Sequence, residues 1–266
     1  MKIKMRFCLP LLLALSPWLM AYAQAPSADP TVTAESPEWY IDKNMSDMTP
    51  ANRFMDAVMI YNPARAPLYV RATVRRLALD HAGSRQVTPD QSTALRVFPE
   101  EFVVPPGGTF QARLLADASR LAGDTASFYI KFEDVSSLYA TADDTGSAVM
   151  SGFQLAYEVM VSVNRSPKNS LKDGDLALLR DAAGNVFAEN RTRQHIYLNR
   201  GYVCDKAGQV LSECREWAAL PRQSILPGEK VLVSGGVPSA GAVAGLLAYP
   251  MLNSRGVPSR LYVPMP

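Results

Sequence analysis

Phe153-Gln154-Leu155-Ala156-Tyr157-Glu158-Val159-Met160-Val161-Ser162-Val163 is the longest clean alternation in the chain. Its odd-numbered positions are apolar throughout, and Gln154, Ala156, Glu158, Met160 and Ser162 lie between them. Successive side chains of a strand point to opposite faces, so a period of two describes a β-strand with one apolar face. The same grammar recurs on the N-terminal side. Phe128, Ile130 and Phe132 alternate with Tyr129, Lys131 and Glu133, and Leu68, Val70, Ala72 and Val74 alternate after Pro67. Phe110, Ala112 and Leu114 follow the turn Pro105-Pro106-Gly107-Gly108. No stretch sustains a helical period beyond a short turn at Ser119–Gly123. Short strands punctuated by Pro, Gly, Asn and Asp indicate an all-β sandwich.

A polar stretch, Ser166-Pro167-Lys168-Asn169-Ser170-Leu171-Lys172-Asp173-Gly174, interrupts this pattern. Beyond it the strands restart at Leu176–Leu179, His195–Leu198 and Lys230–Val233. An echo links the two halves. Val103-Val104-Pro105-Pro106-Gly107 and Ser224-Ile225-Leu226-Pro227-Gly228 both carry apolar residues into a Pro-Gly turn that feeds an alternating strand. The chain therefore reads as two sandwiches in tandem, residues 37–166 and 167–266.

The N-terminus reads as an address. Lys2, Lys4 and Arg6 precede the apolar run Phe7–Met20, and Ala21-Tyr22-Ala23 is a small-x-small cleavage pattern. This predicts a signal peptide over 1–23 and a polar, Pro-broken, mobile segment over 24–36. The apolar run is too short and too broken for a spanning helix of about 20 residues. Without Lys2, Lys4 and Arg6 the chain carries 24 basic against 25 acidic side chains. Near-neutrality offers no electrostatic attraction to nucleic acid or to an anionic membrane. No second long apolar segment predicts membrane insertion.

Cys204 and Cys214 remain after the leader is removed, and in an exported chain an isolated close pair predicts one disulfide. His81 and His195 are the sole histidines, too few for a histidine-based metal site, and no cofactor motif is present. Neither His81, in the turn Asp80-His81-Ala82-Gly83, nor His195 has a Gly-x-Ser-x-Gly elbow beside it, which argues against a hydrolase.

The segment Val97-Phe98-Pro99-Glu100-Glu101-Phe102-Val103-Val104-Pro105-Pro106-Gly107-Gly108-Thr109-Phe110-Gln111-Ala112-Arg113-Leu114 resembles a signature of periplasmic pilus chaperones of the chaperone–usher pathway. Ser127–Val135 and Phe153–Tyr157 are similar to that family's sixth and seventh strands. Leu198–Cys204, Cys214 and the Ile225–Gly228 turn resemble the subgroup serving class 5, or alpha, fimbriae. The resemblance spans from about Trp39 to the C-terminus. It implies two immunoglobulin-like domains in a boomerang arrangement. It also implies a non-enzymatic periplasmic chaperone, which lends its seventh strand to a pilus subunit lacking its own last strand and delivers it to an outer-membrane usher. A self-capping homodimer is a further partner that it admits.

The resemblance also implies residue roles. Phe153, Leu155 and Tyr157 are expected to face the subunit, with Val159 and Val161 continuing the same strand face. Lys43 and Arg165 are the expected anchors of the subunit's C-terminal carboxylate, with Arg53 in reserve, because Ser162 stands where the family usually has a lysine. The loop Ser136–Ser151 is long enough to take part in binding. The competing reading is a structural or adhesive pilus component. Against it, the segment 24–36 lacks the apolar alternation of a donor strand.

Overall fold

The computed structural model describes residues 39–139, 155–218, 220–233, 242–250 and 258–266. The leader 1–23, the segment 24–36, Phe153, Gln154 and loop residues 140–151 lie outside the described residues. Ten strands build a first sandwich: β1 (Tyr40–Ile41), β2 (Met45–Met48), β3 (Met55–Tyr61), β4 (Leu68–Leu79), β5 (Arg85–Pro89), β6 (Leu95–Phe98), β7 (Glu101–Val104), β8 (Thr109–Ala116), β9 (Thr125–Asp134) and β10 (Ala156–Asn164). One sheet runs β1-β3-β8-β6; the other runs β2-β10-β9-β4-β5, with β7 also on β4. The inward-pointing members of each alternation, among them Ile60, Leu114, Phe128, Ile130 and Phe132, are fully buried between the sheets. The short helical turn expected near Ser119 is a 3-10 turn at Ala118–Arg120, capped by the Asp117 carboxylate.

Eight strands build the second sandwich: β11 (Leu176–Arg180), β12 (Val186–Asn190), β13 (Ile196–Cys204), β14 (Arg215–Glu216), β15 (Gln223–Ile225), β16 (Lys230–Val233), β17 (Val243–Tyr249) and β18 (Ser259–Pro264). Its sheets run β11-β12-β16 and β14-β13-β17-β18, with β15 also on β13. This sandwich encloses a separate core around Leu176, Ile196, Leu198, Ile225 and Leu246. The expected disulfide is present: Cys204 at the end of β13 is bonded to Cys214, Cα to Cα 4.8 Å. The loop it closes lies tight against β17. A Cβ on Gly245 would fall 2.5 Å from Leu211 Cδ2 and 3.2 Å from the Cys204 sulfur, so a side chain there would push the loop's Leu211 aside.

The echo between the halves has a structural cause that the sequence did not advertise. In each sandwich a fully buried asparagine staples the Pro-Gly turn. Asn62, just after β3, donates through Nδ2 to the carbonyls of Ala66, Val104 and Pro105. Asn190, ending β12, donates to the carbonyls of Gln194 and Ile225. The turns close on Gly107 and Gly228, whose φ values of 62° and 77° suit glycine. They launch β8 and β16, which pair with β3 and β12 respectively.

The two sandwiches share a small joint. Leu77 of β4 and Met160 of β10 bury themselves against Leu226, which follows β15. Arg85 grips Glu229 with two hydrogen bonds of 2.6 and 2.9 Å and donates to the Ser224 carbonyl at 2.6 Å. Ser127 is hydrogen-bonded to Nε2 of His195. Asn164 donates to Gln194 at 3.4 Å.

Candidate functional site

β10 is paired differently along its length. Its antiparallel ladder with β9 runs from Ala156 to Asn164. On its other side β2 lies parallel but begins only at the Met160↔Met45 pair. The Met160 N–H reaches the Asn44 carbonyl, 2.9 Å, and marks where coverage starts. Ala156 and Glu158 have the same phase as Met160, so their N–H and C=O groups point to that side with no strand beside them among the described residues. An unpaired strand edge is the element that β-augmentation uses.

Burial follows the same division. Val159, Val161 and Val163 all point inward and are fully buried in the first core. Leu155 and Tyr157 lie on that face too, but only half-buried at the rim. Tyr157 meets the Trp39 ring edge-on at 4.6 Å and donates its hydroxyl proton to the Trp39 carbonyl at 2.7 Å. Val159 and Val161, expected to continue the strand face of Leu155 and Tyr157, do so with their side chains turned into the chain's own core. β2 and β9 close over that half of the strand, and its valines fill the chain's own core.

The expected carboxylate anchors are not brought together. Lys43 stands in the bend between β1 and β2, where the strand edge becomes closed, and donates to Asp56 at 2.9 Å. Ser46 and the Ala57 N–H also donate to Asp56. Burial pushes the Asp56 carboxyl up, but the bonds from Ser46, Lys43 and Ala57 outweigh this and leave it below the usual carboxylate range. Arg165 follows the far end of β10. The five residues from Met160 to Arg165 span roughly 16 Å at about 3.3 Å each. Its guanidinium is committed to the carbonyls of Ala118 and Leu121 at 2.7 and 2.8 Å. Arg165 therefore fastens the β8–β9 connection. Arg53 is exposed in the turn before β3.

Ser162, where the family resemblance led us to expect lysine, is 3% exposed. It pairs with Ser127 on β9 and Asp47 on β2, in the row that lies beneath His195. A lysine there would have to bury its charge at the joint beside Asp47, and burying a charge is costly unless it is paired and hydrogen-bonded. His195 is itself fully buried; burial first, then the nearby Arg85 charge, push its pKa down to about 3. Its Nδ1 has no partner among the described residues, so neither an acid nor an accessible base accompanies the Ser127–His195 contact. Sequence reasoning missed Asn44, Asp56, Met160 and Trp39. Met160 carried a signal, being a long apolar side chain on the face shared with Gln154, Glu158 and Ser162.

No protein-family model matches the chain. No curated protein matches it by sequence either. The fold is that of solved fimbrial chaperones, among them one from a chaperone–usher system. The class 5 fimbriae chaperone CfaA superposes with a TM-score of 0.58 at 13% identity, over 85% of this chain and 99% of that one. CsuC, solved with the tip subunit CsuE of the archaic Csu pili of Acinetobacter baumannii, superposes with a TM-score of 0.55 at 10% identity, over 86% and 99%. SafB, solved with the SafA pilin of Salmonella enterica, gives 0.52 at 14% identity, over 85% and 95%. No helix among the described residues is long and apolar enough to cross a membrane.

Proposed function

We propose that this chain is a periplasmic chaperone. It receives a pilus subunit on the open edge of β10, keeps it folded and soluble by completing its sandwich, and passes it to an outer-membrane usher. The observation that carries this reading is the change along one strand face, from fully buried at Val159 to half-buried at Tyr157 and Leu155, beside unpaired backbone at Ala156 and Glu158. A partner strand on that edge gains main-chain hydrogen bonds and extends the apolar core already present. Phe153, Leu155 and Tyr157 supply the side chains. Each one fully covered contributes about 1.5–3 kcal/mol before association costs are subtracted.

A partner strand running parallel to β10 would be in line with β2 and would end against the Lys43 bend. A terminal carboxylate there displaces Asp56 from Lys43 and fixes the register, which strand pairing alone leaves loose. In the free chain the same edge is the surface through which two copies would cap one another. Fold likeness to chaperones solved with their subunits supports the reading, and the leader 1–23 supports export.

The test is a charged replacement at the rim. Leu155→Glu with Tyr157→Glu should leave both cores folded by thermal melting, yet abolish recovery of the co-expressed pilus subunit from the periplasm. Undiminished co-purification would sink the assignment of this edge.

A further inference from the structure

Beside the open edge, the outward face of the sheet carries two cross-strand rows. Glu158 lies opposite Lys131, which lies opposite Thr73; Ala156 lies opposite Glu133, which lies opposite Arg71. Among the described residues, the cations Lys131, Arg71 and Lys43 that border the edge are already matched. Lys131 bonds Glu133 at 2.5 Å, Arg71 bonds Glu101 at 2.6 Å and Lys43 bonds Asp56 at 2.9 Å. Glu158 is exposed at the rim of the sheet and forms no ion pair among the described residues. Among the described residues the edge therefore presents, on its outward side, the Glu158 carboxylate, whose cross-strand neighbour Lys131 is already bonded to Glu133, and on its inward side the apolar Leu155 and Tyr157.

A strand that adds here places its inward side chains with Leu155 and Tyr157 and an outward side chain directly beside Glu158. Residues opposite one another on neighbouring strands have Cβ atoms about 5 Å apart, close enough for opposite charges to stabilise and like charges to destabilise the pair. We propose that Glu158 selects the partner: the accepted segment is an amphipathic strand whose outward position beside Glu158 is lysine or arginine. This deepens the chaperone reading and rests on it, since it names which subunit strands the open edge takes.

The test uses the mature chain and labelled extended peptides with valine at alternate positions and lysine, glutamine or glutamate at the rest. Fluorescence anisotropy should rank them lysine, glutamine, glutamate, with about three- to thirtyfold between the extremes at low salt. The gap narrows as salt screens the exposed pair. Glu158→Lys should invert the ranking, and Glu158→Gln should flatten it. Equal affinities, or a ranking that survives Glu158→Lys, overturn the proposal. Ala156→Pro removes one edge N–H donor. If that variant loses all the peptides while the wild type does not rank them, charge selection fails and the open edge stands. If no peptide binds the wild type, or Ala156→Pro changes nothing, both the edge and the selection fail.

Discussion

The two halves of β10 have the same alternation and opposite fates. From Met160 to Val163 the strand is bracketed by β9 and β2, and its inward valines and outward Met160 and Ser162, with Asn164 beyond, are all buried. From Leu155 to Glu158 the alternation continues, but β2 no longer runs alongside, the apolar side chains are half-covered, and no strand pairs with that edge among the described residues. Availability to a partner is thus set by which neighbours the chain supplies, and the strand's own composition does not reveal it. The open half resembles an unfinished version of the closed one.

The comparison can be broken most forcefully in the closed half. Val161→Asp puts an unpaired charge into a fully covered site, and a loss of more than about 4 kcal/mol is expected. Chemical denaturation, or failure to accumulate soluble protein, would report it; a melt unchanged from wild type would refute the burial. Arg165→Met tests whether the strand's tail is structural. It strips the Ala118 and Leu121 carbonyls of their donor and should cost about 1–3 kcal/mol, leaving subunit affinity per folded molecule unchanged. A selective loss of subunit binding would restore Arg165 as an anchor.

The smallest effect concerns the joint beneath the closed half. His195 has a folded pKa of about 3 against the usual 6.5, so the unfolded chain binds the proton first as pH falls. Stability from this group is complete above pH 6.5 and is lost progressively between 6.5 and about 3, with a slope of up to about 1.4 kcal/mol per pH unit. At about pH 5.5 the loss amounts to roughly 1 kcal/mol. His195→Gln keeps a hydrogen-bonding side chain without the titration, and its melting temperature should fall less steeply with acid. Parallel curves for variant and wild type would mean that the imidazole is hydrated.

Much of this architecture was legible because strands write their faces into the sequence. The alternations at Leu68–Val74, Phe110–Leu114 and Phe128–Phe132 became core-facing strands, and the paired cysteines became a disulfide. The site was legible only in part. Leu155 and Tyr157 stand at the open edge, whereas Val159 and Val161, identical in pattern, are sealed. Nothing local to β10 distinguishes them. The boundary is drawn by Asn44 and Met45, more than a hundred residues earlier, where the chain turns from one sheet to the other.

The sequence alone determined the periodicity, the two sandwiches and the cysteine pair, since each depends on residue type and local spacing. Tertiary structure decided which stretch of β10 remains open, that Lys43 is held by Asp56, and that Arg165 is spent on two carbonyls. It also decided that Ser162 lies under the joint and that Glu158 stands exposed at the rim beside a lysine already bonded to Glu133. The physical reason is that strand pairing and ion pairing bring together groups far apart in the chain, and a side chain's partners cannot be read from its neighbours in sequence.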